Sequence, residues 1–373
     1  RSDAPHLPPL RRRLGAARAG ARALPVGLPL VPGAPIVDLH THILPPDLPD
    51  LGALYGCGGF VHLDRAGAPP GRGRMMLDGR LFREVPDTTW DPGRRLEECD
   101  RSGVDVQVLS TVPVMFNYWA EPAHGLDLAR RLNDHLAATV AAHPKRFAGL
   151  ATLPLQAPER AARELERSVR ELGLDGAQIG THVNGANLDD PALFPVFEAA
   201  QDLDAAVFVH PWDMLAPERM RRFWLPWLVG MPSELALAIA SVIFSGLLER
   251  LPRLRLAFAH GGGAFPGTIG RIEHGFEARP DLCAVATTTP PRAQARRIYV
   301  DSLVHDAEAL RGLLRLFGPD RVALGSDYPF PLGESAPGTL VRSLGEIDGA
   351  TRARLLGGTA LEFLGRDAAE FAR

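Results

Sequence analysis

The sequence contains a single lysine, Lys145, among its 373 residues, so almost all of its positive charge is arginine. Lys145 follows His143 and Pro144 in a segment that is predicted to be a loop before a strand. Schiff-base catalysis, nucleotide hydrolysis at a P-loop and a two-metal site bridged by a carboxylated lysine all need a lysine at the active centre. The chain offers each of these chemistries almost no candidate residue.

Cysteine is also scarce, since Cys57, Cys99 and Cys283 lie far apart and form no Cys-x-x-Cys pair. This pattern argues against a disulfide framework and a thiolate zinc site, and it favours a reducing compartment, so we expect a cytoplasmic protein. The longest uncharged apolar run, residues 235–248, is shorter than the roughly 18 residues of a membrane span. With 41 basic and 44 acidic residues, the chain also lacks the basic surplus of a nucleic-acid binder. We therefore expect neither a membrane nor a nucleic acid as a partner.

Residues 1–35 carry six arginines and one acidic residue among many Pro, Ala and Gly residues, without apolar periodicity. We expect them to form a disordered N-terminal extension, and we assign residues 36–373 to one domain. The RRRL segment at 11–14 loosely resembles a twin-arginine signal. Arg18 and Arg22 interrupt the apolar segment that such a leader requires, so a targeting leader is the less favoured interpretation.

From residue 36 onward, short β-rich runs alternate with amphipathic helical stretches. The predicted strands are 36–41, 104–110, 147–153, 174–180, 205–210, 254–260, 298–303 and 322–327. Eight strands alternating with helices are typical of an α/β fold of the distorted (β/α)8 TIM-barrel type. A doubly wound sheet is the alternative, but a glycine fingerprint usually follows its first strand, where this chain has His40-Thr41-His42.

Two insertions interrupt the alternation. Residues 44–90 contain Asp78-Gly79 between two strand-like runs, which predicts a small hairpin after strand one. Residues 211–250 contain an apolar helix after strand five. That helix either packs against its own barrel or forms a subunit contact, and the sequence does not distinguish the two.

Histidines and one aspartate fall at the predicted C-terminal ends of the strands, where the active sites of such barrels lie. His40 and His42 are two residues apart in strand one and so point to the same side, while His210, His260 and Asp327 end strands five, six and eight. Three of these histidines together with the carboxylate would form a donor set typical of a Zn²⁺ site with an open position for water. Either His260 or Asp327 can bind the metal while the other accepts a proton, and the sequence alone leaves these roles open.

Three arginines stand near the predicted mouth. Arg83 follows the hairpin turn, and Arg271 and Arg279 flank a predicted helix after strand six. Planar guanidinium groups suit the bidentate binding of a small substrate with several carboxylates, and the single lysine, Lys145, cannot substitute for them.

Many linked segments identify a family. In order, the chain contains DLHTHILP, GRLFREV, STVPVMFNYW, TLPLQAP, GTHVNG, FVHPWDM, WLPWLVGMP, FAHGGGAFP, GRIEHGF, RPDLCA and GSDYPFPLGE. With these segments, residues 36–365 closely resemble the aminocarboxymuconate-semialdehyde decarboxylase family of the amidohydrolase superfamily. The resemblance implies a distorted barrel, one zinc ion per chain and a homodimer.

The resemblance also implies roles for individual residues. The zinc ligands would be His40, His42, His210 and Asp327, with a water completing the site. His260 would be the catalytic base toward that water, beside Asp327. The substrate-binding residues would be Arg83, Trp224 and Phe330, together with Arg271 and Arg279, which match arginines that reach the site from the neighbouring subunit.

The implied reaction is the non-oxidative decarboxylation of 2-amino-3-carboxymuconate 6-semialdehyde to 2-aminomuconate 6-semialdehyde and CO2, in tryptophan (kynurenine) or nitroaromatic catabolism. A sister decarboxylase of a hydroxybenzoate, such as a resorcylate, is an alternative with the same metal set. A metal-dependent hydrolase of a lactone or amide is another. A catalytically silent metal-binding scaffold is the alternative from a different class, and the full ligand set argues against it. The scarcity of lysine argues independently against Schiff-base decarboxylation.

Overall fold

The computed structural model describes residues 34–372, and its centre is a barrel of eight parallel strands surrounded by helices. In chain order the strands are β1 (Val37–Ile43), β2 (Val106–Thr111), β3 (Phe147–Thr152), β4 (Gly176–Gly180), β5 (Ala206–His210), β6 (Arg255–Phe258), β7 (Tyr299–Asp301) and β8 (Val322–Ala323). The predicted barrel is confirmed. Strands β6, β7 and β8 are shorter than predicted because the chain leaves the sheet there to form the mouth. Most of the predicted N-terminal extension, with its leader alternative, lies outside the described residues.

The barrel closes between β1 and the segment that follows β8. The backbone N–H of Leu39 donates to the carbonyl of Leu324, that of His42 to the carbonyl of Tyr328, and that of Asp327 to the carbonyl of His40, each at 2.8 Å. These bonds continue the closure beyond the two residues of β8. They also place Asp327 directly beside the histidines of β1.

The strands are buried on both faces, as expected for a parallel sheet covered by helices. Every residue of β1, β2 and β3 is buried. One core cluster joins alternate strand residues, among them Val108 and Phe208, to Leu361 and Phe363 of a C-terminal helix. Full burial of a side chain such as Phe208 contributes roughly 1.5–3 kcal/mol to stability. Because Phe208 precedes His210 on β5, this apolar layer lies directly beneath the mouth.

The α-helices span Leu51–Tyr55, Pro92–Ser102, Pro122–Ala142, Pro158–Arg170, Phe194–Asp202, Met231–Phe244, Leu247–Arg250, Phe265–Ala278, Pro280–Cys283, Pro291–Ala295, Ala307–Leu316, Thr339–Ser343, Gly349–Ala353 and Thr359–Leu364. Their ends follow ordinary capping chemistry. The Pro92–Ser102 helix begins at Asp91, whose side chain accepts the N–H groups of Gly93 and Arg94, and it ends at Gly103 with φ of 73°.

The insertion after β1 is a three-stranded antiparallel sheet of Val61–Asp64, Arg72–Leu77 and Arg80–Pro86. Asp78 and Gly79 connect the last two strands with φ of 49° and 73°, so both turn residues are left-handed, as a two-residue hairpin requires. The predicted hairpin is therefore confirmed. Its additional strand, Val61–Asp64, was not expected, because residues 61–64 are too few to show a strand pattern in the sequence.

The insertion after β5 carries a π-helical turn, Pro226–Gly230, that runs into the Met231–Phe244 helix. By length and composition alone, residues 226–244 are long and apolar enough to cross a membrane, but half of this stretch is buried inside the molecule. Leu235 and Ile239 pack into the barrel core, whereas Leu228 and Val229 are half exposed. One side of the helix thus packs on its own barrel, and the other is free for a further contact.

Candidate active site

The C-terminal ends of four strands bring the predicted metal-binding and catalytic residues together. One ligand atom from each of His40, His210, His260 and Asp327 lies within 4.8 Å of the others. His42 joins them, because its Nε2 lies 3.1 Å from Nε2 of His40 and 3.0 Å from Oδ1 of Asp327. Five side chains therefore converge on one point at the barrel mouth.

The backbone turns sharply at two of these residues. His260 and Asp327 have φ of 52° and 56°, a left-handed conformation that is uncommon outside glycine. Each residue lies where its strand ends and the chain leaves the sheet. The turn directs the side chain toward the barrel axis, and surrounding contacts must hold this conformation in place.

Hydrogen bonds fix the ring orientation of the three histidines that sit on strands. Nδ1 of His40 lies 2.7 Å from a carboxylate oxygen of Asp301, Nδ1 of His42 lies 2.9 Å from the carbonyl of Thr111, and Nδ1 of His210 lies 3.0 Å from the carbonyl of Pro211. Each of these partners is an acceptor, so each Nδ1 carries the proton. All three Nε2 lone pairs consequently face the centre.

The Nε2 atoms of the three strand histidines and the carboxylate of Asp327 are all acceptors, so none of them can donate a hydrogen bond to another. Nε2 of His210 is buried without a hydrogen-bond partner in residues 34–372. The short Nε2–Nε2 distance between His40 and His42 brings two lone pairs together, which is unfavourable unless a cation lies between them. An orphaned buried nitrogen and converging acceptors are the features of a site built to hold a metal ion.

The pKa shifts of His210 and Asp327 agree with this fit. Burial and the neighbouring imidazoles hold the pKa of His210 well below its ordinary value, so its ring is neutral. Burial raises the pKa of Asp327, but the imidazoles of His260 and His42 outweigh it and hold that pKa well below its ordinary value. Neutral imidazoles and an ionised carboxylate are the forms that bind a divalent metal.

A pocket with about 460 Å³ of empty space, part of it open to solvent, lies above this cluster. His42, His210 and Asp327 form its floor, and its walls are mainly aromatic and aliphatic, including Phe82, Trp212, Trp224, Trp227, Met231 and Phe330. Apolar walls around a few convergent polar groups are typical of a small-molecule site.

Arg83 is the one cation among the pocket-lining residues of the described chain. Its guanidinium carbon lies 5.1 Å from the ring centre of Phe330, 5.5 Å from that of Trp227 and 5.9 Å from that of Phe82. Within residues 34–372 no carboxylate forms an ion pair with it at 4.0 Å or less. Burial lowers the pKa of Arg83, but an arginine stays protonated at neutral pH. The pocket therefore holds a positive charge that suits an anionic ligand.

The predicted aromatic residues both lie at the pocket. Phe330 packs against His42, with ring centres 5.6 Å apart. Trp224 lines the pocket and is 41% exposed, in a left-handed conformation with φ of 57°.

The structure does not bring the other two arginines to the site of their own chain. Arg271 lies exposed on the Phe265–Ala278 helix. Arg279 follows that helix and forms an exposed ion pair with Asp281, with 2.7 Å between Nη2 and Oδ2. Their assignment as substrate-binding residues depends on a partner subunit and stays a prediction.

Sequence reasoning missed Asp301 and Trp227. Asp301 ends β7, just as His210 ends β5, so the rule that selected the histidines points to this carboxylate as well. Trp227 lies in the same WLPWLVG segment as Trp224, but no pattern in the sequence shows that its indole also lines the pocket.

Residues 37–366 match the model of the amidohydrolase family. The chain is 57% identical over 331 residues to 2-amino-3-carboxymuconate-6-semialdehyde decarboxylase of Dictyostelium discoideum, covering 89% of this chain and 92% of the relative. The chain belongs to the amidohydrolase family, on the branch of the aminocarboxymuconate-semialdehyde decarboxylases.

Further relatives of this amidohydrolase are decarboxylases too. The Caenorhabditis elegans decarboxylase of the same name is 37% identical, covering 89% of this chain and 94% of the relative. A gamma-resorcylate decarboxylase of Rhodococcus jostii is 31% identical, covering 72% of this chain and 84% of the relative. The predictions of the family and of a carbon–carbon lyase are thereby confirmed.

Solved structures agree with the fold. The crystal structure of 5-carboxyvanillate decarboxylase from Sphingomonas paucimobilis superimposes with a TM-score of 0.74 at 28% identity, covering 90% of this chain and all of that one. A dihydroxybenzoic acid decarboxylase from a Polaromonas species, solved with bound manganese and 2-nitroresorcinol, has a TM-score of 0.70 at 23% identity, covering 89% and 97%. In this amidohydrolase, the histidine–aspartate cluster has the donor atoms and the geometry that could hold a divalent metal ion.

Proposed function

We propose that this protein converts 2-amino-3-carboxymuconate 6-semialdehyde to 2-aminomuconate 6-semialdehyde and CO2, with one zinc ion per chain. The observation that best supports this reaction is one pocket with two features. Its floor carries the histidine and aspartate donors, and its wall carries the positive charge of Arg83. The 57% identity to the Dictyostelium decarboxylase supports this choice of substrate. We further propose that it acts in tryptophan or nitroaromatic catabolism, where this substrate arises.

Zinc is the favoured metal because the proposed ligands are nitrogen-rich. His40, His42 and His210 would supply three imidazole nitrogens and Asp327 one carboxylate oxygen, a donor set that suits Zn²⁺ better than the oxygen-preferring cations. When bound, the metal would supply Lewis-acid activation at the floor of the pocket. Manganese, present in the Polaromonas structure, is the alternative that metal analysis would distinguish.

Arg83 would bind one substrate carboxylate through its planar fork. The rings of Phe330, Trp227 and Phe82 surround the guanidinium and limit its contact with water. Charge interactions are stronger in such a low-dielectric environment, so the anchor would hold the substrate in one orientation above the floor.

His260 would handle the proton. Its Nε2 lies 3.9 Å from Oδ2 of Asp327, and its partly exposed ring leaves room for a reactant. In the reaction a proton adds to C3, the bond from C3 to its carboxylate then breaks with release of CO2, and the electron pair of that bond restores the conjugated chain. His260 is the group positioned to hold and release that proton at Nε2.

The substrate has two carboxylates, and the described pocket contains one arginine. We propose that the active unit is a homodimer in which Arg271 and Arg279 complete the partner's site. Both arginines are exposed on their own chain, and the neighbouring segment of residues 226–244 leaves apolar side chains such as Leu228 and Leu237 partly uncovered. A two-fold interface would exchange these elements symmetrically.

A hydroxybenzoate decarboxylase is the second candidate, favoured by the 31% identity to the Rhodococcus gamma-resorcylate decarboxylase. The same floor and the same aromatic walls would accept a flat aromatic acid. A single substrate carboxylate would need Arg83 less, because the floor itself would bind it. A metal-dependent hydrolase is the third candidate, with Asp327 acting on water directly.

The test is CO2 release by the purified protein from enzymatically generated aminocarboxymuconate semialdehyde, run beside gamma-resorcylate and a lactone. We expect CO2 from the first substrate at a kcat/KM at least 100-fold above that for the second, and no hydrolysis of the lactone. Preferred turnover of gamma-resorcylate would support the second candidate. Lactone hydrolysis without CO2 release would overturn the decarboxylase proposal.

A further inference from the structure

Asp301 at the end of β7 has a completely buried carboxylate that serves two parts of the site at once. Its Oδ2 accepts from Nδ1 of His40 at 2.7 Å and from the backbone N–H of His260 at 2.9 Å. Its Oδ1 accepts from the backbone N–H of Gly261 at 2.8 Å and from that of Leu303 at 3.1 Å. Four donors therefore hold this carboxylate in a single position.

The first consequence concerns His40. All four groups around Asp301 donate hydrogen bonds to it, so the carboxylate is surrounded as an acceptor and is favoured in its ionised form. An ionised acceptor at Nδ1 keeps the proton on that nitrogen and leaves Nε2 free to bind a metal. It also raises the basicity of the ring, which strengthens it as a ligand.

The second consequence concerns His260. This residue and Gly261 both have positive φ, 52° and 61°, in the tight turn after β6. Asp301 accepts both of their backbone N–H groups, and charged acceptors make the stronger hydrogen bonds. Because the ring of His260 approaches Asp327 only at 3.9 Å, its position depends mainly on this backbone turn.

We infer that Asp301 is a positioning residue that couples the metal ligand His40 to the proton-transfer residue His260. The Asp301 carboxylate fixes the tautomer of His40 and the main-chain conformation of His260. In this way it sets the distance between the two residues. The kinetic part of this inference rests on the proposed decarboxylation, whereas the metal-binding part needs only the metal.

The test replaces Asp301 with asparagine, which keeps the shape but turns an amide donor toward His40 and His260. We expect the Kd for Zn²⁺, measured by competition with a chromophoric chelator, to rise by about 10- to 100-fold. Asp175→Asn is the matched control, because the Asp175 side chain is 5% exposed and pairs with Arg366 away from the mouth. The Kd of this control for Zn²⁺ should stay within about two-fold of the wild-type value, because the substitution removes a buried carboxylate that does not contact a metal ligand. A Zn²⁺ affinity of Asp301→Asn equal to that of the control would overturn the inference.

The second readout is kinetic and separates the two roles. With Zn²⁺ saturating, Asp301→Asn should still show a kcat reduced by about 10- to 100-fold, because a displaced proton-transfer group is costly. KM should stay near the wild-type value, since Arg83 and the pocket walls are untouched. Recovery of the full kcat at saturating Zn²⁺ would disprove the coupling to His260. A wild-type protein that binds Zn²⁺ but releases no CO2 would instead count against the proposed reaction, with the metal affinities unaffected.

A measurement on the wild-type protein answers the question if Asp301→Asn does not fold. Zn²⁺-loaded protein with ¹⁵N-labelled histidine should show slowly exchanging Nδ1 protons for His40, His42 and His210. The proton facing the carboxylate should lie further downfield than the two that face carbonyl groups. A spectrum without such a distinct proton would overturn the role of Asp301.

Discussion

At the scale of single residues, neighbouring groups hold the outer atoms of the site's side chains, and the atoms that face the pocket remain available to a ligand. The Nδ1 atoms of His40, His42 and His210 each meet an acceptor, and their Nε2 atoms face the centre. Arg83 shows the same arrangement, since aromatic rings hold its guanidinium without neutralising it. The groups that bind and react are therefore oriented before any ligand arrives, which lowers the cost of ordering them.

His260→Ala should retain most of its metal and lose most of its decarboxylase activity, because the proposed task of His260 is proton transfer. General acid–base groups contribute roughly 10²–10⁴-fold to rate, so kcat should fall within that range. Metal content and CO2 release measured on the same preparation check this. His305→Asn, at an exposed left-handed position after β7, is a control that should behave as wild type. Loss of metal together with activity would place His260 among the ligands instead.

Arg83→Lys should raise KM by about 10- to 100-fold with a smaller effect on kcat, because lysine keeps the charge but loses the bidentate fork. Steady-state kinetics with the proposed substrate measure the split. Arg163→Lys, an exposed exchange on the Pro158–Arg170 helix, should change neither constant. An unchanged KM in Arg83→Lys would show that this residue is not the carboxylate anchor.

At the scale of elements, the loop after β6 positions His260 by packing tightly on the Met231–Phe244 helix. Gly263 has φ of 60°, and a Cβ placed on it would overlap the carbonyl oxygen of Pro232. A glycine is needed here because the backbone conformation and the close approach both exclude a side chain. The loop can therefore meet the helix only while that position stays a glycine.

Gly263→Ala should destabilise the fold by about 1–3 kcal/mol through backbone strain alone and reduce kcat by displacing His260. Gly312→Ala is the matched control, because a Cβ at this helical glycine has nothing within 4 Å. It should stabilise the protein by up to about 1 kcal/mol and leave kcat unchanged. Denaturant unfolding and CO2 release of both variants check this pair. Equal effects of the two substitutions would contradict the packing argument.

The elements also show how far the sequence could lead. The eight strands and the Asp78-Gly79 hairpin were predictable, because buried parallel strands and left-handed turns leave strong local patterns. The convergence of the histidines was predictable too, since each lies at or near the C-terminal end of a recognisable strand. The short strand Val61–Asp64 was not predictable, because four residues are too few for a periodic signal. Asp301 was missed because the predicted strand ran on to residue 303, whereas β7 ends at this carboxylate. The position of Arg83 among aromatic rings depends on contacts between the hairpin and distant segments, which spacing does not report.

At the scale of the whole molecule, mixing two inactive variants tests the proposed homodimer directly. Arg271→Ala mixed with His260→Ala, each nearly inactive alone, should regain activity. In a mixed dimer, the site on the Arg271→Ala subunit keeps His260 and receives an intact arginine from its partner. Random exchange makes half of the dimers mixed, so about one quarter of all sites should recover. Differently tagged chains first establish that subunits exchange. Exchange without recovered activity would assign Arg271 to its own chain or to the fold.

The central claim is that decarboxylation depends on one divalent metal ion held by the histidine–aspartate cluster. Its most direct test is a titration of metal-stripped protein with Zn²⁺ while CO2 release from aminocarboxymuconate semialdehyde is followed. We expect almost no activity without metal and a linear rise that ends at one equivalent per chain, because the donors form a single site and no bridging lysine is present. Full activity of the metal-stripped protein, or a rise that ends only at two equivalents, would contradict this account.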